Sequence, residues 1–173
     1  MRRLRYSVAM SLDGYIADED GGYDWIVFDP AIDFASYLAK IDTLVMGRRT
    51  FEMTDTAEGR ALFEGMHVYV VSTTLDPAAH PDVTVISGDV EDAVAALKKE
   101  DGRDIWLFGG GVLFQSLLQF GLVDRVEVGI IPVLLGGGIP LLPGLDGLAK
   151  LEFHSAETFE SGIALLKYDV RMD

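Results

Sequence analysis

Three stretches of this sequence carry groups suited to holding an anion. Gly109, Gly110 and Gly111 stand where the apolar run Ile105–Phe108 hands over to a run with helical spacing. Glycines at such a junction let an anionic group touch backbone N–H groups directly. The competing reading is a tight turn needing unusual dihedrals, and the residue types alone leave both open. Gly47 ends a second apolar run, followed by Arg48, Arg49 and Thr50 at an expected helix start. Guanidinium forks beside a hydroxyl make a phosphate receptor. A third run, "VYVVSTT", ends in the hydroxyls of Ser72, Thr73 and Thr74. Each set has a plainer explanation, solvated arginines or a hydroxyl turn, but three donor-bearing strand ends in one acidic chain favour the anion site. The design is neither a Rossmann fingerprint, because Phe114 stands where a small residue is needed, nor a P-loop, because no Lys-Ser or Lys-Thr follows.

The elements that must position these groups alternate along the chain. "LRYSVAMSLDGYIA" opens as a strand with a turn at Asp13-Gly14, and "DEDGGYDW" is a polar loop. In "DFASYLAKI", Phe34, Leu38 and Ile41 fall at helical spacing, while "DTLVMG", "HVYVVST" and "VTVI" read as strands. "DVEDAVAALKK" is a helix with Val90, Val94 and Leu97 facing inward, acids at its start and Lys98 and Lys99 at its end. Ile105–Phe108 has no polar face, which predicts a strand buried on both sides. Val112, Leu113, Phe114, Leu117, Leu118 and Phe120 then predict a helix closed by Gly121. Three strand-like runs without intervening helices follow, "DRVEVGIIPVLLGG", "LEFHSAETFE" and "IALLKYDV". The pattern predicts an α/β fold, a mostly parallel central sheet with an antiparallel C-terminal edge and flanking helices. In such sheets ligands bind beyond the carboxyl ends of the strands, where all three donor sets fall.

Composition sets the bounds. The 173 residues, 49% hydrophobic, carry neither internal repeat nor linker, so one domain over residues 1–173 is expected. Acidic residues number 28 against 14 basic ones, a formal charge of −14, which repels nucleic acid and anionic membranes. No apolar run is long enough to span a membrane and no leader is evident. The absence of cysteine excludes disulfides and thiolate metal sites, no metal is expected, and a cytoplasmic setting fits.

The succession "VAMSLDGYIA", "LVMGRRTFE", "VYVVST", "WLFGGGVLF" and "VEVGIIPVLLGGGIPLL" resembles the dihydrofolate reductase-like fold. Within that fold the chain is similar to the reductase domain of bacterial riboflavin biosynthesis proteins and their stand-alone relatives, from about Leu4 to Val170. The resemblance implies a three-layer domain and an NADPH-dependent reductase. Its substrate would be a small heterocycle of the pyrimidine or pterin type or a sugar imine, in the manner of 5-amino-6-(5-phosphoribosylamino)uracil reductases. It implies that Arg48, with Arg49 beside it, holds the 2′-phosphate with Ser72 and Thr73, and that Thr50 contacts the pyrophosphate. Gly109, Gly110, Gly111, Val112 and Leu113 would lie against the diphosphate and nicotinamide half, the first two glycines joined by a cis peptide, with Ala9 and Gly47 completing the cofactor set. Asp13 of "SLDG" would be the carboxylate near substrate and nicotinamide, although an Asp-Gly turn explains it equally. Asp33 would be a proton source near the next helix, or simply the N-cap of "FASYL". Trp25, Phe34 and Phe51 would contact substrate beneath a lid at residues Ala17 to Trp25, and a homodimer is implied.

The chain also departs from the riboflavin pattern. Phe108 stands where Glu is usual, "GRRTFE" is of the folate type, and the deaminase zinc motif is missing, with His67, His80 and His154 scattered. Two other readings therefore stay open, a dihydrofolate reductase and a nucleotide-binding dimer without catalysis. Alanine favours helix, so Gly111, one step inside the helix, is expected to tolerate it better than Gly110.

Overall fold

Residues 1–171 are described by the computed structural model, and the last two residues of the expected domain lie outside the described residues. In chain order the elements are β1 (Leu4–Ser11), β2 (Tyr15–Ala17), α1 (Phe34–Leu38), β3 (Ile41–Gly47), α2 (Arg48–Thr54), α3 (Ala57–Leu62), β4 (His67–Val71) and β5 (Thr84–Ile86). Then come α4 (Val90–Lys99), β6 (Asp104–Gly109), α5 (Gly111–Gln119), β7 (Arg125–Ile131), β8 (Ile139–Pro140), β9 (Leu151–Thr158) and β10 (Ala164–Val170). Eight strands form one sheet in the order β5-β4-β3-β6-β1-β7-β10-β9. The strands from β5 to β7 are parallel, and β10 runs antiparallel between β7 and β9. From β5 the chain returns to insert β6 between β3 and β1, then continues beyond β1 with β7. That reversal opens a crevice at the carboxyl ends of β3, β6 and β1.

The apolar runs divide by alternation. Leu4, Tyr6, Val45, Ile105, Leu107, Val126 and Val128 face α4 and α5, packing on Val94, Leu97, Leu113, Phe114 and Leu117. Leu44, Met46, Val70 and Trp106 face the other side, with Phe51 and the α1 residues Phe34, Tyr37 and Leu38. Both faces of β3 and β6 are covered by helices, which is why these strands lack a polar side. Tyr6 stacks on Phe114 with ring centroids 3.9 Å apart.

One buried polar cluster interrupts the second face. Arg5 of β1 forms a two-toothed ion pair with Glu127 of β7, at 2.7 and 3.0 Å, and reaches Asp104 at 3.3 Å. The Arg5 guanidinium lies 4.7 Å from the Tyr37 ring centre. Burial works against the Arg5 charge, and the hydrogen bond and charge of Glu127 outweigh it, holding the guanidinium above its ordinary value. At the amino ends of the strands, Lys98 binds Asp124 at 2.7 Å and donates to the Leu122 carbonyl at 2.6 Å. Asp124 in turn accepts from the Leu4 N–H at 2.6 Å, so the foot of α4 is tied to β1 and β7.

Four local features differ from the pattern read along the chain. Ile41 begins β3 instead of extending α1, because α1 stops at Leu38 and the periodicity beyond it is incidental. The run "DRVEVGIIPVLLGG" ends as a strand at Ile131, where Pro132 has no N–H to continue the ladder. Helix α3 lies between α2 and β4. The two-residue β8 pairs with β2 as a separate ribbon, Tyr15 opposite Pro140 and Ala17 opposite Ile139. The α/β arrangement with its antiparallel edge is as expected.

Candidate functional site

The strand order gathers the donor-bearing strand ends. A cavity of about 390 Å³ opens between Arg48, Ser72, Thr73, Thr74, Ser87 and Gly88, joining the ends of β3, β4 and β5. Ser87 and Gly88 carried no recognisable signal, since "ISGD" reads as an ordinary strand-to-helix turn. Arg48 pairs with Glu52 at 3.0 Å across the surface of α2, both side chains about half exposed. An exposed pair of this kind contributes little, so the guanidinium can exchange its partner for a phosphate. Arg49 is exposed beside it. Ser72 is buried, and its hydroxyl accepts from the N–H groups of Thr74 (3.1 Å) and Leu75 (2.9 Å), shaping the turn after β4.

At the crevice, each of the three glycines has its own reason. Gly109 has φ +144°, a conformation that side-chain-bearing residues rarely adopt. A Cβ on Gly111 would lie 2.7 Å from the Pro140 carbonyl oxygen and 3.0 Å from that of Leu141, so Gly111 permits close packing of the segment after β8. A Cβ on Gly110 would meet only the Thr50 hydroxyl at 3.6 Å, so Gly110 borders open space. The expected order of tolerance is therefore reversed for the fold itself, with Gly111 the crowded position. The Gly109–Gly110 peptide is cis.

Gly110 caps α5 with no side-chain hydrogen bond, and no acid stands in the first turn. The first N–H groups of α5, from Gly111, Val112 and Leu113, are thus free of intrahelical partners and favour negative charge. Helices α1, α3 and α4, by contrast, are capped by the side chains of Asp33, Thr56 and Asp89. Val112 projects into solvent, whereas Leu113 turns into the core. Gly47 borders the same groove, its Cβ direction 4.0 Å from the Gly109 carbonyl oxygen. Ala9 lies in β1 opposite Gly129.

The candidate acids are placed differently. Asp33 accepts from the Ser36 N–H at 3.0 Å as the cap of α1. Asp13 accepts from the Ser11 hydroxyl (2.7 Å) and from the N–H groups of Leu135 (3.1 Å) and Gly136 (2.7 Å). The Ser11 hydroxyl, followed by the Gly136 N–H, lowers its pKa to about 2. Asp13 is therefore ionised at neutral pH and clamps the turn after β1 to the loop after β7. Its folded pKa lies below the ordinary carboxylate value of about 4, so the clamp is complete above that pH and is lost as pH falls through about 2. Asp13→Asn puts an NH₂ group where one N–H needs an acceptor. Amide exchange at Leu135 and Gly136 is expected to accelerate at neutral pH in this variant; unchanged exchange would remove the clamp.

The aromatic candidates line the α1 side or lie beyond it. Trp25 donates to the Gly22 carbonyl at 3.3 Å, bracing the loop before α1. Phe34 meets Trp106 edge-on at 5.8 Å. Phe51 is buried behind β3, edge-on to His80 at 5.2 Å. There it borders a second cavity of about 630 Å³, shared with Phe63, Met66 and His80.

Similar proteins share this architecture. Protein YyaP of Bacillus subtilis (strain 168) is 33% identical over 178 residues, covering 96% of this chain and 94% of its own. The crystal structure of a putative riboflavin biosynthesis protein from Shewanella sp. PV-4 superposes with TM-score 0.81 at 29% identity, over 99% of this chain and 100% of the other. Dihydrofolate reductase from Enterococcus faecalis, solved with NADP(H), superposes with TM-score 0.71 at 22% identity over 98% and 97% of the two chains, and so shares the fold. The model of the RibD C-terminal domain matches residues 2–165. Since that match spans nearly the whole chain, the chain belongs to the RibD C-terminal domain family.

Proposed function

We propose that this protein is a cytoplasmic, homodimeric NADPH-dependent reductase acting on a small planar heterocycle of the pyrimidine or pterin type or on a sugar imine. The observation that carries this reading is the alignment of two anion receptors along one set of strand ends. One is the Arg48–Ser72–Thr73 cavity; the other is the uncapped start of α5 at Gly110. NADPH, when bound, supplies the hydride. Arg48, Arg49, Ser72 and Thr73 would hold its 2′-phosphate. Thr50 and the N–H groups of Gly111, Val112 and Leu113 would hold the diphosphate, with Gly47, Gly109 and Gly110 leaving room for it. Ala9 would flank the nicotinamide half. The fit is supported by the open space beside Gly110, which a methyl group would fill.

Phe34 would wall the substrate side, with Trp25 steadying the loop above it, and Phe51 would back α2 from behind. Asp13, ionised and fixed to two backbone N–H groups, would position the rim of the pocket instead of releasing a proton. Asp33 would act chiefly by ordering α1. The long exposed edge of β9, with Leu151 and Phe153 bare, is the surface we assign to the second subunit. The test is the loss of NADPH absorbance on incubation with 5-amino-6-(5-phosphoribosylamino)uracil, its phosphate-free riboside, or dihydrofolate. Turnover of at least one is expected. No turnover of any, in protein that binds NADPH, would favour a nucleotide-binding protein without catalysis.

A further inference from the structure

Two cavities of opposite character lie at the two ends of α2. The Arg48 cavity opens at its start, by the carboxyl ends of β3, β4 and β5, and is lined by hydroxyls and a guanidinium with no carboxylate. The second cavity, about 630 Å³, opens at the other end of α2, beside the leading ends of β4 and β5. None of the groups assigned to NADPH lines it. Its volume falls in the range of small-molecule sites, about 300–1,000 Å³.

The inner walls of this cavity are aromatic and aliphatic. Phe51 comes from α2, Phe63 and Met66 from the link between α3 and β4, and Val68 and Val83 from the sheet side. His80 is half-buried and meets Phe51 edge-on at 5.2 Å. Among the described residues, its ring nitrogens have no hydrogen-bond partner. Phe63 stands between cavity and crevice, because its ring also meets Phe108, the residue before the glycine turn, edge-on at 5.2 Å.

The outer part of the lining is acidic. Asp55, Glu64 and Asp82 stand there against a single cation, Arg60. That guanidinium is already engaged by Asp55, at 2.8 and 2.7 Å. Glu64 and Asp82 are exposed, and among the described residues neither carboxylate has an ion pair or hydrogen bond. Thr54 and Asp55 end α2, whose last turn holds no basic residue. The negative end of the helix dipole therefore adds to the field of these carboxylates.

From this lining we propose that the cavity is a second ligand site, for a small organic cation with a flat aromatic body and one amine. The ring would pack among Phe51, Phe63 and His80 through edge and face contacts, with the Met66 sulfur against it. The ammonium would sit beside Glu64 and Asp82, where phenylalanine faces also favour a cation. An aromatic carboxylate of the same size would fill the apolar part but meet two unpaired like charges. Occupancy of this site is independent of the reductase reading, because no cofactor-holding group lines the cavity.

The probes are tryptamine, its neutral analogue indole-3-ethanol and its anionic analogue indole-3-acetate. Each is titrated calorimetrically into the protein, with and without saturating NADPH, and the methionine methyl signals are followed by NMR. Tryptamine is expected to bind about tenfold more tightly than indole-3-acetate at low salt, the gap narrowing as salt screens the carboxylates. It should shift the Met66 methyl signal and give the same Kd with and without NADPH. In the double variant Glu64→Gln with Asp82→Asn, tryptamine should fall to the affinity of indole-3-ethanol. Both substituted residues are exposed, so this variant should melt like the parent protein. Absence of tryptamine binding, equal affinity for indole-3-acetate, or an unchanged Kd in the double variant overturns the proposal. Displacement of tryptamine by NADPH also overturns it, since the amine would then occupy the crevice. Tryptamine binding as expected in protein that fails to bind NADPH leaves this site standing and removes only the cofactor reading.

Discussion

Gly111→Ala is expected to lower stability by about 1–3 kcal/mol, the range for overpacking a filled site, while Gly110→Ala melts like the parent protein. The atoms that a methyl on Gly111 would strike are main-chain oxygens of Pro140 and Leu141, at 2.7 and 3.0 Å, with Pro143 at 3.1 Å. Backbone cannot swing aside as a side chain can. The same segment holds the β2–β8 ribbon, where the Leu141 N–H donates to the Gly14 carbonyl at 2.9 Å. Relief at Gly111 therefore disturbs that ribbon. For a chain of this size each kcal/mol corresponds to about 2–4 °C in melting temperature. Gly110→Ala instead places its methyl in the groove toward Thr50, and NADPH affinity is what it should lose. Thermal melting with NADPH titration of both variants checks the pair of outcomes. Equal melting of the two variants would mean that the segment after β8 yields freely.

Glu127→Leu is expected to cost about 3–5 kcal/mol, the penalty for leaving a buried charge without its partner. Glu127 has 1% and Arg5 6% of its side chain exposed, so water cannot take over the lost contacts. Asp104, at 3.3 Å and partly exposed, is a weaker remaining partner. The double variant Arg5→Met with Glu127→Leu removes both charges and should recover most of the loss, as apolar replacement of a buried pair often does. Denaturant unfolding of the three proteins gives the comparison. A single variant as stable as the parent would show that Arg5 finds solvent or Asp104 without cost.

What the sequence made legible was whatever it encodes locally. Ile105–Phe108 followed by three glycines and an apolar helix needs only nearest neighbours to be read, and β6 and α5 lie where that stretch places them. "MGRRT" and "VVSTT" were equally plain as donor-bearing strand ends. The remainder depends on partners remote in the chain. The Arg5–Glu127 pair spans 122 residues and leaves no trace in a strand pattern. Asp13 is clamped by backbone N–H groups, which every sequence has, so no residue type announces Leu135 or Gly136 as its partners. β8 is two residues long and has no period, and Ile41 continues the α1 spacing by coincidence while belonging to the sheet. The glycine triplet joined both kinds of information. Its location was local, but the reason Gly111 must be glycine is a segment some 30 residues further on.

The central claim is that the Arg48 cavity receives the 2′-phosphate of NADPH, and its most direct test is calorimetric titration of NADPH and NADH into the parent protein and Arg48→Ala. The parent is expected to bind NADPH more tightly than NADH. Arg48→Ala should weaken NADPH by about 1.5–3 kcal/mol, roughly ten- to 150-fold, the worth of a charge-assisted hydrogen bond, and leave NADH unchanged. Equal losses for the two cofactors, or a parent protein that does not prefer NADPH, would contradict the account.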